Sequence, residues 1–253
     1  MHKTGHPFIE LPSVDSTNIY AMAMARARMA EPGTAYFAHE QTQGRGQRGR
    51  RWQANPGENI AMSLLIQPPL SDPEHFFPLS CATALGCYDF FSALAGDETA
   101  IKWPNDLYWR DRKAGGILIE NIIRGNRWEW AIVGIGININ QVRFDPDLPN
   151  PVSLRQITGK SFDPVHLAKT LCQSLHHRYQ ALEGGAWPTL YAEYQKILFG
   201  RGRRFPFTDG NETFNARVCG VTEDGQLEVN DGHFRHFPFG SLQWQSLAPL
   251  ADD

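Results

Sequence analysis

The chain has 253 residues, enough for one large domain and a small one, and its 42% hydrophobic and 20% charged content is that of a folding globular protein rather than a disordered one. With 24 Lys and Arg against 27 Asp and Glu, the formal charge of −3 excludes a surface that traps nucleic acid or anionic lipid by overall charge. Any basic function must be local. The longest apolar runs, at 60–66 and 131–137, fall far short of the roughly 20 residues that span a bilayer. The start, MHKTGHPFIELP, shows no apolar run before a small-residue cleavage site, so no export signal is expected. Cys81, Cys87, Cys172 and Cys219 are irregularly spaced with no CxxC pair, which predicts reduced thiols in a cytoplasmic protein and no metal site.

In chain order, Asp15 or Ser16 is placed to cap a helix that runs to about Ala30, where Pro32-Gly33 stops it. Residues 34–41 read as a strand. The segment 43–51, QGRGQRGRR, has no hydrophobic period and reads as a loop. A buried strand over 59–67 ends at Pro68-Pro69, and 78–94 has the apolar spacing of a helix. Short strands follow: AIKW from Ala100, a turn at Pro104-Asn105-Asp106, then 115–123 and 128–138 joined by the turn-rich 124–126. After the Pro-rich segment 145–151, helices are predicted at 164–182 and 188–198. From Gly200, five β-like runs are separated by Asp-Gly turns at 209–210, 224–225 and 231–232, the pattern of a small β-barrel. The division is therefore 1–199 and 200–253.

Three segments carry candidate chemistry. In 44–52, GRGQRGRRW, glycines let backbone approach an anion, arginines offer forked donors to phosphate or carboxylate, and Trp52 can cover a flat ligand. A mobile surface loop or an RNA-binding arm is the competing reading, and the glycine pattern matches neither a P-loop nor a Rossmann turn. In 102–106, KWPND, a plain turn competes with a reading that puts Asp106 or Asn105 at an active-site rim; seven residues on from Asp106, Lys113 stands beside Gly115 and Gly116. In 134–140, GIGININ, Gly134, Gly136, Asn138 and Asn140 share one face by period two, leaving room for a flat ligand or for close helix packing. His176-His177 lacks a second ligand pair and reads as helix surface.

Together and in this order, DSTN at 15–18, GRGQRGRRW at 44–52, KWPND at 102–106, KAGGIL at 113–118 and GIGIN at 134–138 resemble the catalytic core of the biotin protein ligases. The trailing β-region is similar to that family's C-terminal SH3-like module. The resemblance implies an α+β fold, with a mixed, largely antiparallel sheet flanked by helices of the class II synthetase-like type. It also implies an activity: biotin and Mg²⁺·ATP give biotinyl-5′-AMP and pyrophosphate, and biotin then passes to a lysine of a carboxyl-carrier domain of acetyl-CoA carboxylase or a related carboxylase.

The implied roles are residue by residue. Lys113, Arg45 and Arg48 are the catalytic cations. Ser16, Thr17, Asn18, Gln41, Arg45, Gly46, Gln47, Lys113, Gly115, Gly116, Gly134 and Gly136 line the biotin site. Arg48, Trp52, Lys102, Asn105, Asp106 and Asn138 line the nucleotide side. No protein metal ligand is assigned, because Mg²⁺ is held mostly by phosphate oxygens and water.

Gln47 departs from the family's commoner GRGRxG pattern. A neutral amide can donate a hydrogen bond but lacks the charge that retains an acyl-phosphate, so the adenylate is expected to escape faster than from a Gln47→Arg variant, read by a filter-retention assay. Only 14 residues precede Asp15, too few for the winged helix of family members that repress transcription, so no sequence-specific DNA binding is expected. Neither is a membrane partner; a homodimer is compatible with the family. A lipoate-type ligase and an RNA-binding protein remain the alternatives, the latter disfavoured by the negative net charge.

Overall fold

The computed structural model describes residues 2–68 and 76–250, so Pro69 of the expected strand stop lies outside the described residues. The first sheet contains β1 (Phe8–Leu11), β2 (Ala35–Ala38), β3 (Ile60–Ile66), β4 (Thr99–Lys102), β5 (Asp106–Trp109), β6 (Arg112–Arg124) and β7 (Arg127–Ile137). Its spatial order is β1-β2-β3-β7-β6-β5-β4; β1 runs parallel to β2 and the other neighbours are antiparallel. The helices are α1 (Thr17–Arg26), α2 (Phe76–Ala95), α3 (Leu154–Thr158), α4 (Pro164–Glu183) and α5 (Trp187–Lys196).

Period-two alternation gives this sheet two different faces. On one, Phe37, Leu64, Val133 and Ile135 join the core that includes Leu79, Leu85 and Phe91 of α2 and Leu171 and Leu175 of α4. Each such side chain contributes about 1.5–3 kcal/mol by leaving water. On the other face, Ala21 and Ala25 of α1 pack on Tyr36, Leu65 and Ile132. That second face is only partly covered by α1, and the remainder floors the cleft described below.

The C-terminal sheet holds β8 (Arg204–Thr208), β9 (Thr213–Val221), β10 (Leu227–Asn230), β11 (Phe234–Phe237) and β12 (Gln243–Trp244), in the order β11-β10-β9-β8-β12 and antiparallel throughout. Phe205 and Phe207 pack edge-on to Trp244 inside it. No helix among the described residues is long and apolar enough to cross a membrane, and all four cysteines are free thiols.

Several elements differ from the sequence expectation. The first helix ends at Arg26 rather than Ala30, with Arg28 left-handed at φ 57°. Neither Asp15 nor Ser16 caps it by a side chain; the Thr17 N–H donates instead to Gln41 Oε1 at 2.8 Å. The four-residue strands β1 and β5 were not expected, so Asp106 begins a strand instead of closing a turn. Helix α3 was also unexpected, although Ser153 and Gln156 form a capping box whose spacing is visible in the sequence.

Candidate active site

A cleft of about 580 Å³ opens between the uncovered sheet face, the 44–52 segment and the C-terminal sheet. Every residue assigned from the sequence lines it except Gly115. Gly115 points to the opposite face, where an added Cβ would meet the Gly136 carbonyl oxygen at 2.7 Å, so its smallness serves strand packing.

A register shift determines which face Lys113 takes. Along β6, Lys113 and Gly116 have opposite parity, so unbroken pairing would turn Lys113 toward the helix-covered core. The pairing of β5 with β6 instead slips between Leu107 and Tyr108, so that Asp106 faces Gly116 while Tyr108 faces Lys113. A bulge of this kind re-aims one side chain. Lys113 Nζ thereby donates to Asp106 Oδ1 at 2.6 Å, both half-buried.

Six cationic side chains, Arg45, Arg48, Arg50, Arg51, Lys102 and Lys113, line the cleft, against one carboxylate, Asp106, among its described residues. In a chain of net charge −3, this cavity is thus locally cationic. Lys102 Nζ lies 5.2 Å from the Trp244 ring centroid and 5.5 Å from that of Tyr108. Burial lowers its pKa to about 8; Asp106 opposes the shift, and Lys113 and Arg50 add to it.

At one end the lining is neutral and hydrogen-bonded. Ser16, Thr17 and Asn18 are buried at the start of α1. Thr17 Oγ1 donates to Gln41 Oε1 at 3.1 Å, and Ser63 Oγ lies 2.7 Å from Thr17 Oγ1 and 2.6 Å from Asn18 Oδ1. Asn18 Nδ2 donates to Leu118 O and to Glu120 Oε2. With the Asn18 amide used in this way, the groups left for a ligand are the Ser16 hydroxyl, the Gln41 amide nitrogen and spare oxygen lone pairs.

The glycines of β7 make room for other parts of this protein. A Cβ on Gly134 would lie 2.2 Å from Asn18 Oδ1, and one on Gly136 would lie 2.4 Å from Trp52 Cε2. Helix packing over small residues was one of the two sequence readings, and Gly134 follows it. The indole N–H of Trp52 is buried without a partner among the described residues, a donor available to whatever enters the cleft.

The remaining assigned residues divide. Asn105 Nδ2 donates to Ile117 O, tying its turn to β6, and Asn138 Nδ2 donates to Val152 O at 3.1 Å; both amides hold backbone as well as lining the cleft. Arg48, left-handed at φ 55°, sits 5.8 Å from the Phe239 ring, and Arg45 Nη1 pairs with Glu120 Oε1 at 3.1 Å. Gln47 occupies a one-turn 3-10 segment, Gln47–Gly49. Sequence reasoning missed the wall formed by Phe239, Gly240 and 242–247, and Ser63 and Glu120, which stand behind the lining as partners of Thr17, Asn18 and Arg45. Ser63 carried a signal, as the one polar residue in the strand IAMSLLI.

The model of the biotin/lipoate A/B protein ligase family matches residues 10–138. The chain is 30% identical over 234 residues to the bifunctional ligase/repressor BirA of Bacillus spizizenii, covering 90% of this chain and 71% of that protein. It is 34% identical over 178 residues to the biotin–acetyl-CoA-carboxylase ligase of Paracoccus denitrificans, covering 68% and 72%. The biotin protein ligase of Aquifex aeolicus in complex with biotin and ATP shares the fold, with a TM-score of 0.77 at 23% identity over 94% of this chain and 97% of that one. On the family match, the identity to these relatives and the cleft that gathers the five motifs, the chain belongs to the biotin/lipoate A/B protein ligase family.

Proposed function

We infer that the chain is a biotin–protein ligase that activates biotin with ATP and transfers it to a lysine of a carboxyl-carrier domain of acetyl-CoA carboxylase. The observation that carries this reading is the pairing, in one cleft, of a neutral hydrogen-bonded niche with a wall of six cations. The niche suits an uncharged ureido ring, and the cations suit a polyphosphate.

In the first step the biotin carboxylate attacks the α-phosphorus of ATP, the bond to the bridging oxygen breaks, and pyrophosphate leaves. Two anions must meet, so electrostatic stabilisation supplies most of the catalysis and no protein nucleophile is needed. Lys113 polarises the carboxyl and then the anhydride oxygen, Arg45 and Arg48 hold phosphate oxygens, and Trp52 covers the adenine, its indole N–H meeting an acceptor. In the second step a carrier lysine amine attacks the acyl carbon, AMP leaves with the anhydride oxygen, and the amide forms after the nitrogen loses its proton. Closing 44–52 over the anhydride excludes water.

The donor set fits Mg²⁺ bound chiefly through substrate: the second oxygen of Asp106 and the Asn105 amide oxygen are the cleft groups that would hold it. When bound, the ion neutralises polyphosphate charge.

Incubation with biotin, Mg²⁺·ATP and a carrier domain should release pyrophosphate and raise the carrier's mass by one biotinyl group. Use of lipoate in place of biotin, or no pyrophosphate release, would overturn the reading.

The pKa of Lys102 gives a pH signature. Its ammonium is lost as pH rises through about 8, so the KM for ATP should climb above that pH. A Lys102→Arg variant, charged throughout, should show a flat profile. Stability moves the other way, since in the window from about 8 to the ordinary lysine range the unfolded chain binds more protons, and raising pH favours the fold. Steady-state kinetics and thermal unfolding at pH 7 to 10 check both signs.

A further inference from the structure

Glu120 lies just behind the cleft lining and belongs to none of the five sequence motifs used above. It sits in β6 opposite Ile132 of β7, on the face that carries Gly116, Leu118 and Gly134. Its side chain retains only 21% of its exposure, and its two oxygens have different partners. Oε2 accepts from Asn18 Nδ2 at 2.9 Å, and Oε1 pairs with Arg45 Nη1 at 3.1 Å. One partner belongs to the neutral niche and the other to the Gly/Arg segment.

A carboxylate only accepts, so it fixes which way each partner points. The Asn18 amide must turn its nitrogen toward Glu120, which leaves Oδ1 facing Ser63 Oγ. With Nη1 on the carboxylate, the guanidinium of Arg45 keeps Nε and Nη2 for oxygens in the cleft. Hydrogen bonds thus run from Ser63 through Asn18 and Glu120 to Arg45, with Thr17 and Gln41 in polar contact beyond Ser63.

We propose that Glu120 is a positioning residue that sets the Asn18 amide and the Arg45 guanidinium in one geometry, linking the niche to the segment that closes over the adenylate. The proposal rests on the reading of the cleft as a site of acyl-adenylate formation. A carboxylate that merely anchored α1 would have no need of the half-exposed arginine of the 44–52 segment.

The test uses the full chain with Glu120→Gln, Glu120→Asp, Arg45→Ala and the double variant Glu120→Gln/Arg45→Ala. Gln has the same shape but presents a donor where two acceptors are needed; Asp keeps the charge and withdraws it by one methylene. Release of preformed acyl-adenylate should quicken about tenfold in Glu120→Gln, the scale of one charged hydrogen bond, with a rise in the KM for biotin larger than the fall in kcat. Glu120→Asp should show a similar acceleration and serves if the Gln variant does not fold. Release reads the Arg45 contact and the KM for biotin reads the Asn18 contact, so the double variant should release no faster than Arg45→Ala alone while keeping the raised KM of Glu120→Gln. Wild-type release rates in a folded Glu120 variant, a lowered Tm with unchanged retention, or release rates that multiply in the double variant would each overturn the proposal. If the wild-type protein forms no acyl-adenylate, the reading of the cleft fails instead, and the proposal with it.

Discussion

Lys113→Ala is expected to slow adenylate formation by about 10²–10³-fold while the protein remains folded. Lys113 is the cation that the slipped register of β5 and β6 turns into the cleft. On the proposed reading, its loss removes the cation assigned to the carboxyl and anhydride oxygens. The fold should tolerate the change, because an ion pair with solvent access is worth about 1 kcal/mol or less. Asp106 would keep Lys102 nearby, and the pKa of Lys102 already responds to that carboxylate. Pyrophosphate release measured beside thermal unfolding checks the separation, and Lys113→Arg should recover part of the rate. Unchanged turnover in the alanine variant would remove Lys113 from its assigned role.

The second large effect is expected from a single methyl group. In Gly134→Ala the new Cβ would lie 2.2 Å from Asn18 Oδ1 and 2.8 Å from its Cγ. Asn18 has nowhere to retreat: its nitrogen is held by Leu118 and Glu120 and its oxygen by Ser63. Overpacking of this kind costs about 1–3 kcal/mol, or roughly 3–10 °C in Tm for a chain of this size. Displacing Asn18 also breaks the niche, so the KM for biotin should rise on the order of 100-fold, the worth of one or two lost polar contacts. The KM for ATP should move far less. Titration of both substrates with one preparation reads the contrast, and equal changes in the two would show that the niche is not the biotin end.

The sheet's longer strands and the two long helices were legible because their apolar periods run for seven residues or more, as in IAMSLLI and PVHLAKTLCQSLHHRYQALE. Strands β1 and β5 were not legible, since β1 is an edge strand with a single partner and β5 begins at Asp106, which the Pro-Asn-Asp pattern assigns to a turn. The motif residues converge as expected, yet their contacts could not be read in advance. Gly134 and Gly136 read as space for a flat ligand or for a packed helix, and the structure fills part of that space with Asn18 of α1 and with Trp52, distant in sequence. Lys113 reaches the cleft through a slip in pairing that no local pattern announces. Glu120 looked like an ordinary charge in a strand because its meaning lies in two partners, one about a hundred positions upstream.

The C-terminal sheet has a practical consequence. The Trp103 indole N–H donates to Gly225 O at 2.9 Å, Arg48 rests on Phe239, and residues 242–247 face the six cations. An attempt to engineer a minimal biotinylation tag-writer by stopping after residue 199 would therefore strip off part of the reaction chamber itself, leaving Lys102 in open water without the aromatic neighbour Trp244. Transplanting a foreign β-module there would have to reproduce that inner surface, so the terminal fifty or so residues should be engineered together with the catalytic half.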